Sequence, residues 1–344
     1  MPIASHIIPK FYLERFANPP KRRNGQNHLW VYEKGRDPHY RATSVQGAEN
    51  GYFAFVRPDG TLDEALETRL EKLEEACLDT LVVTATRFFD IQSASRRNAL
   101  AFYASMLFCR AKQRRNRSQK TYSNLHAQFA ELISDDEWIA ETTARYIKRH
   151  GEPITTQILK ERLVQLASMM DGTTALRNNF VEDLVSATEI MKNVVLQKPW
   201  QLWNAPKGME FVTSDNPFIS FIPLANGRLN SGHGLRKKET IGVFPLAPHV
   251  CLAMGVKGPD SVTIEPGLAT NINNTVIELC ERYVYSKTLS EEIRLAVDQF
   301  ANSRQYGVNA FLPLGLNMPT AKDFVLHMMR LAPWPFPPWM TTSN

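Results

Sequence analysis

The feature that most limits what this chain can fold into is a change of hydrophobic period near Trp200. Upstream, apolar residues recur every three or four positions. Downstream they alternate or run in short clusters interrupted by proline. A period near 3.6 keeps one face of a helix apolar, whereas alternation suits a half-buried strand. The clearest helix is 62–87, where Leu66, Leu70, Leu73, Cys77 and Leu81 form one stripe and Asp63 is placed to cap it. A second helix covers 94–118. Further helices are expected over 123–150 and 155–197, separated by Gly151 and Pro153, with Pro199 as the stop. Beyond Trp200, MEFVTSDNPFISFIPL (209–224) reads as two strands around a turn, and IGVFPLAPHVCLAM (241–254) as a strand pair bent at Pro245 and Pro248. Helices return at 268–281 and 289–303, with RYVYS (282–286) as a short strand between them. Near the start, PKFYLERFA opens a short helix on a proline, and HLWVYEK (28–34) reads as a strand. The expected class is α+β: predominantly helical, with a smaller antiparallel β region formed by the N-terminal and 209–256 strands.

The 344 residues fit one large domain or two intimate ones, and are read as a single compact domain over 1–331. Its parts are a helical block at 62–198, a β-rich part at 200–256 and C-terminal helices at 268–303. The end, APWPFPPWM within a 332–344 tail, is too rich in proline for helix or central strand. It is expected to lie extended, its tryptophans packed on the body, on a protein partner or on a second copy of the chain. At 43 % hydrophobic and 22 % charged residues, a chain this long builds a core without a disulfide or metal staple. Composition excludes collagen, coiled coil and low-complexity disorder. No apolar run approaches the roughly 18 residues that span a bilayer, and MPIASHIIPKFYLERF lacks the form of a secretory signal. No membrane association is expected. Cys77, Cys109, Cys251 and Cys280 form no CxxC pair and read as buried, reduced thiols of a cytoplasmic protein.

Arg110 is the sharpest chemical signal. It shares a narrow helical face with Ala99, Tyr103 and Met106, so a guanidinium emerges among core-facing side chains. A buried charge needs a carboxylate or an anionic ligand. Glu74 lies at the edge of the 62–87 leucine stripe and is placed to meet Arg110 across a helix seam, whereas Glu67 and Glu71 read as a solvated face. In Thr213–Ser214–Asp215–Asn216–Pro217, a turn after a strand holds Asp215 on a rigid support. His6, close to Pro9 and Tyr12, is a candidate general base. The expected catalytic set is His6, Glu74, Arg110 and Asp215, with Glu74 and Asp215 also able to ligate Mg²⁺ or Mn²⁺. Tyr12, Asn216, Arg114 and Arg117 are candidate substrate contacts. Net charge is +5, and Lys112, Arg114, Arg115, Arg117 and Lys120 follow Arg110 closely. Nucleic-acid phosphates are therefore a candidate partner, with Arg22, Arg23, Arg236, Lys237 and Lys238 adding to the surface. The reading is a nucleic-acid-associated protein, with metal-dependent phosphodiester hydrolysis as its chemistry. Its alternative is a binding or regulatory protein whose Arg–carboxylate network is structural. No dinucleotide or P-loop motif, GxSxG elbow or HExxH is present.

Three blocks carry a resemblance. The first is HxxPxxYLxxF at His6, Pro9, Tyr12, Leu13 and Phe16, followed by LWVY (29–32) and the pairs Leu66–Glu67 and Leu73–Glu74. The second is the apolar helix ending in Arg110. The third is FVTSDNPF (211–218), with FPLAPH (244–249) and NINNTVIELCERYVYSK (271–287). Together, over 5–287, they resemble the bacterial domain of unknown function 4238. Cys109 precedes the arginine and Ala111 stands after it, where the family pattern has threonine. The resemblance implies a cytoplasmic bacterial or phage-related protein and no particular activity. It marks His6, Tyr12, Glu67, Glu74, Arg110, Asp215 and Asn216 as the recurrent polar positions.

Overall fold

A computed structural model describes residues 4–20, 25–84, 91–168, 170–225, 227–231, 233–301, 303 and 320–331. In chain order these form β1 (Ala4–His6), α1 (Lys10–Glu14), β2 (His28–Glu33), β3 (His39–Ala42), β4 (Ala48–Asn50), β5 (Phe55–Val56) and β6 (Leu62–Asp63). There follow α2 (Ala65–Thr84), α3 (Ala94–Arg110), α4 (Lys112–Ser134), α5 (Asp136–His150), α6 (Thr156–Ser168) and α7 (Gly172–Leu196). The strands β7 (Trp200–Asn204), β8 (Thr213–Ser214), β9 (Ile219–Pro223), β10 (Leu229–Ser231), β11 (Ile241–Ala247), β12 (Val250–Met254) and β13 (Ser261–Thr263) come next. The chain continues with α8 (Pro266–Glu278), β14 (Tyr283–Ser286), α9 (Glu291–Phe300) and α10 (Ala321–Leu331). The protein is α+β, with helices dominating and almost all strand pairs antiparallel; β13 on β7 is parallel. Among the described residues no helix is long and apolar enough to cross a membrane.

The chain divides into two compact units. One comprises 1–54, 64–115 and 184–310; the other 55–63, 116–183 and 311–344. The helical block at 62–198 is shared between them.

Among the described residues the larger unit holds the β1–β4 pair and two larger sheets. Six strands run in the order β10-β9-β11-β12-β7-β13, and four in the order β3-β2-β14-β8. The N-terminal strands and the 209–256 region thus meet through β14, which pairs with β2 on one side and β8 on the other. Phe221, Val243, Cys251, Ile272, Val276 and Val284 belong to one fully buried core beneath these sheets and α8. Pro245 sits in β11 beyond the stretch that pairs with β9, so the missing N–H costs no ladder bond on that side. The register slips between Pro245 and Ala247. The carbonyls of Pro245 and Leu246 take hydrogen bonds from Tyr12 and Arg15, which fasten the end of α1 to the sheet.

The smaller unit packs Phe129, Ile139, Leu159, Leu163 and Val325 in its own core. The helix α5 has both end signals: the Asp135 carboxylate accepts from Trp138 N at 2.9 Å, and Gly151 closes it at φ 71°.

Several sequence expectations change: the helix expected over 123–150 is the end of α4 followed by α5, and the one expected over 155–197 is α6 followed by α7. The 94–118 helix is two helices, because Ala111 turns extended (φ −58°, ψ 142°) directly after Arg110. Asp63 pairs with Phe55 as part of β6 and binds Arg57, and α2 starts at Ala65 rather than at 62. The helix α10 was not anticipated. The 332–344 tail and Arg22 and Arg23 lie outside the described residues.

Candidate active site

The break at Ala111 makes Arg110 the last residue of α3, where its side chain is 1 % exposed. The guanidinium forms an ion pair with Glu74 of α2 and donates a second hydrogen bond to the His6 carbonyl of β1. The Phe53 ring lies 4.8 Å from it. The expected meeting of Arg110 and Glu74 is thus present, and His6 joins them through its backbone.

The His6 segment is held by β4. The strand pairing sets His6 opposite Ala48, and the Gly47 carbonyl then takes the N–H groups of Ile7 (2.6 Å) and Ile8 (3.3 Å). Gly47 has φ 67°, and a Cβ there would stand 3.1 Å from Ile8 Cβ and 3.2 Å from Ile8 O. Only glycine meets both demands without strain.

Glu67 is where the expectation of a solvated face fails. It lies seven residues before Glu74 on the same side of α2, is 4 % exposed, and accepts from the Ser5 side chain. Burial pushes the carboxyls of both Glu67 and Glu74 above the ordinary range, and the charge of Arg110 opposes this in each. Burial also raises the Tyr103 hydroxyl well above its usual value, with Glu74 adding to the effect. Four buried polar atoms of this group have no hydrogen-bond partner among the described residues: His6 Nε2, Glu67 Oε2, Tyr103 Oη and Arg110 Nε. Each such atom costs about 1–3 kcal/mol if it stays unpaired, so a water or another polar group is the expected partner of each. Glu67 and Tyr103 escaped the reading of the residues. The available signal was the seven-residue spacing of Glu67 and Glu74, together with the Leu–Glu repeat.

Asp215 belongs to a different arrangement. Its carboxylate accepts from the N–H groups of Glu281 (2.8 Å), Arg282 (2.7 Å) and Tyr283 (2.9 Å). Burial lifts its pKa to about 6, while those three donors hold it down. None of these partners belongs to the Arg110 group. Tyr12 donates to Pro245 O at 2.7 Å and shares a 2.8 Å bond with Thr213 Oγ1; Asn216 Nδ2 donates to Leu279 O at 2.9 Å. All three side chains tie α1, β8, α8 and β11 together.

Part of the basic run after Arg110 is engaged by the chain itself. Arg114 is buried with its guanidinium 3.6 Å from the Phe108 ring centre, Arg115 lies 4.6 Å from that of Tyr52, and Lys112 pairs with Glu49 at 2.6 Å. Arg117 is half-buried, whereas Lys120, Arg236, Lys237 and Lys238 are exposed. Nor do the expected metal ligands fit a cation. Glu74 is committed to Arg110 and Asp215 to three amides, and among the described residues no three His, Cys, Asp or Glu side chains gather as a metal site.

A family model whose description is a protein of unknown function (DUF4238) matches residues 5–290. No curated protein and no solved structure matches the chain.

Proposed function

The chain belongs to the DUF4238 family, whose function is unknown, and on that footing we propose that it is a hydrolase of phosphodiester bonds, with nucleic acid as its substrate class. The observation that carries this reading is the group of partnerless polar atoms around Arg110: His6 Nε2, Glu67 Oε2, Tyr103 Oη and Arg110 Nε. His6 is half-buried as a residue, while its Nε2 lies buried with the other three atoms. In the proposed reaction His6 Nε2 takes a proton from water as its oxygen attacks phosphorus. Arg110 Nε–H holds the developing oxyanion, in a buried setting where such a bond counts for more than in water. Glu74, through its ion pair, fixes the guanidinium in that orientation and is a positioning residue. No step passes through Mg²⁺ or Mn²⁺, since Glu74 and Asp215 are engaged elsewhere. Support for nucleic acid is the net charge of +5 and the exposed Arg236, Lys237 and Lys238. Four free, buried cysteines support a reducing, cytoplasmic setting.

Labelled single-stranded RNA and DNA, with chelator and with added Mg²⁺ or Mn²⁺, form the test. Cleavage by the wild type should fall about 10²–10⁴-fold in His6→Ala. Equal cleavage by both proteins sinks the reading.

One observation favours a second role for the same pair. Both ends of the Arg110 guanidinium are occupied by the chain itself, at 1 % exposure, as in a purely structural tie between α2, α3 and β1. Under that reading the protein binds nucleic acid or a protein without turnover, and the cleavage assay is blank.

A further inference from the structure

The roles above leave one proton unsupplied, that of the leaving oxygen. We propose that Glu67 is the proton donor of this centre, a neutral carboxylic acid held beside Ser5 that protonates the departing oxygen of a substrate whose leaving group is an alcohol. The proposal rests on the hydrolase reading and adds a further catalytic residue and a narrower substrate class to it.

Charge arithmetic inside the cluster leads there. The groups facing Glu67 are Ser5 from β1, Glu71 and Glu74 from α2, and Arg110 from α3, while His6 acts on Glu74. Arg110 is the one buried cation among them, and its two terminal nitrogens already serve Glu74 and the His6 carbonyl. Two buried carboxylates therefore share a single counter-charge, and the one without the ion pair is the one that keeps a proton. Glu67 is that carboxyl: one oxygen is bound by Ser5, and Oε2 is buried with no hydrogen-bond partner among the described residues. A carboxylate oxygen left so would be a bare buried charge, whereas a neutral O–H aimed at a substrate would not. Glu67 stands in the first turn of α2, where the helix favours an anion. Burial outweighs this pull, and its direction for Glu67 is upward.

The step balances. Water oxygen bonds to phosphorus, its proton passes to His6 Nε2, and the phosphorus–oxygen bond to the alcohol breaks. That oxygen takes the Glu67 proton. The products are a phosphomonoester and an alcohol; the imidazolium then gives its proton to solvent and the Glu67 carboxylate takes one from it, which restores both groups. An acid of this kind matters most for a poor leaving group such as a ribose hydroxyl, and least for p-nitrophenolate, which leaves without protonation.

The experiment compares wild type with Glu67→Gln on a dinucleoside monophosphate and on bis-p-nitrophenyl phosphate. A thermal melt of the isosteric variant checks that it is folded. We expect a loss of about 10²–10⁴-fold on the dinucleotide, at least about ten-fold greater than on the p-nitrophenyl ester, with the alkaline limb of the pH profile gone. Equal losses on both substrates overturn the donor role. Infrared difference spectra give a readout that needs no turnover: wild type minus Glu67→Gln at pH 6 should show a protonated-carboxyl carbonyl band, the contribution of Asp215 cancelling between the two. No such band in the difference overturns the proposal even if hydrolysis is found. A wild type that hydrolyses neither ester overturns the hydrolase reading and the donor role with it, while the band still decides whether Glu67 holds a proton.

Discussion

At the scale of single residues, Arg110 and Asp215 are both buried charges, and they are satisfied in opposite ways. Arg110 has an ionic partner 36 positions away, so removing it strands Glu74 in a half-dry seam. Arg110→Ala should cost about 3–5 kcal/mol in urea unfolding. Arg110→Lys should recover only part of this, because an ammonium cannot fork between Glu74 and the His6 carbonyl. A loss under about 1 kcal/mol for the alanine variant would contradict the ion pair's burial. Asp215 has only backbone donors. Its pKa rises from an ordinary 3.8 to about 6 through burial, so the folded state holds its proton more tightly than the unfolded chain. Such a group adds stability below about pH 4 that is lost as the pH climbs past 6, worth roughly 3 kcal/mol over that window. Asp215→Asn should flatten the decline of stability between pH 4 and 6 seen by urea titration. An unchanged slope would show that the carboxyl titrates normally.

At the scale of elements, the position of Arg110 at a helix end is as important as its charge. Periodicity predicts one helix over 94–118, and it cannot see the extended Ala111 that stops α3 after Arg110, because alanine is a strong helix former. On either side of the turn Arg110 and Arg114 pack on Phe53 and Phe108, contacts that no local period encodes. By contrast, the β11–β12 pair was legible, since Pro245 and Pro248 can stand only where a ladder bond is not needed. Glycine at 47 is the corresponding local requirement for β1. Gly47→Ala should cost about 1–2 kcal/mol for its left-handed backbone alone, plus the displacement of Ile8. Because β1 carries Ser5 and His6, any catalytic rate should drop further than the melting temperature suggests. A variant with wild-type stability would show that the segment relaxes.

At the scale of the whole molecule, net charge turns out to be a poor guide to where a polyanion would sit. Much of the basic run after Arg110 is occupied by Phe108, Tyr52 and Glu49, which leaves the Arg236–Lys238 loop among the exposed cations. Binding of single-stranded RNA should therefore depend only shallowly on salt, with a log–log slope of about −2 if those three side chains neutralise one phosphate each. Lys237→Glu with Lys238→Glu should weaken it, and Lys112→Glu should have a smaller effect. A slope far steeper than this would place the contacts elsewhere.

The class of fold, most of the helices, the strand pair at 241–254 and the inward cation at 110 follow from spacing along the chain, because helix and strand periods are local properties that neighbouring residues impose on one another. The partners do not follow from spacing. That Arg110 answers to Glu74 and His6, that Asp215 answers to the amides of 281–283, and that Glu67 is buried beside Ser5 are contacts between segments distant in sequence. Many carboxylates could have met that guanidinium equally well as a matter of composition. Packing of α2, α3 and β1 into one unit selected among them, since burial, not sequence distance, sets which charges must be neutralised.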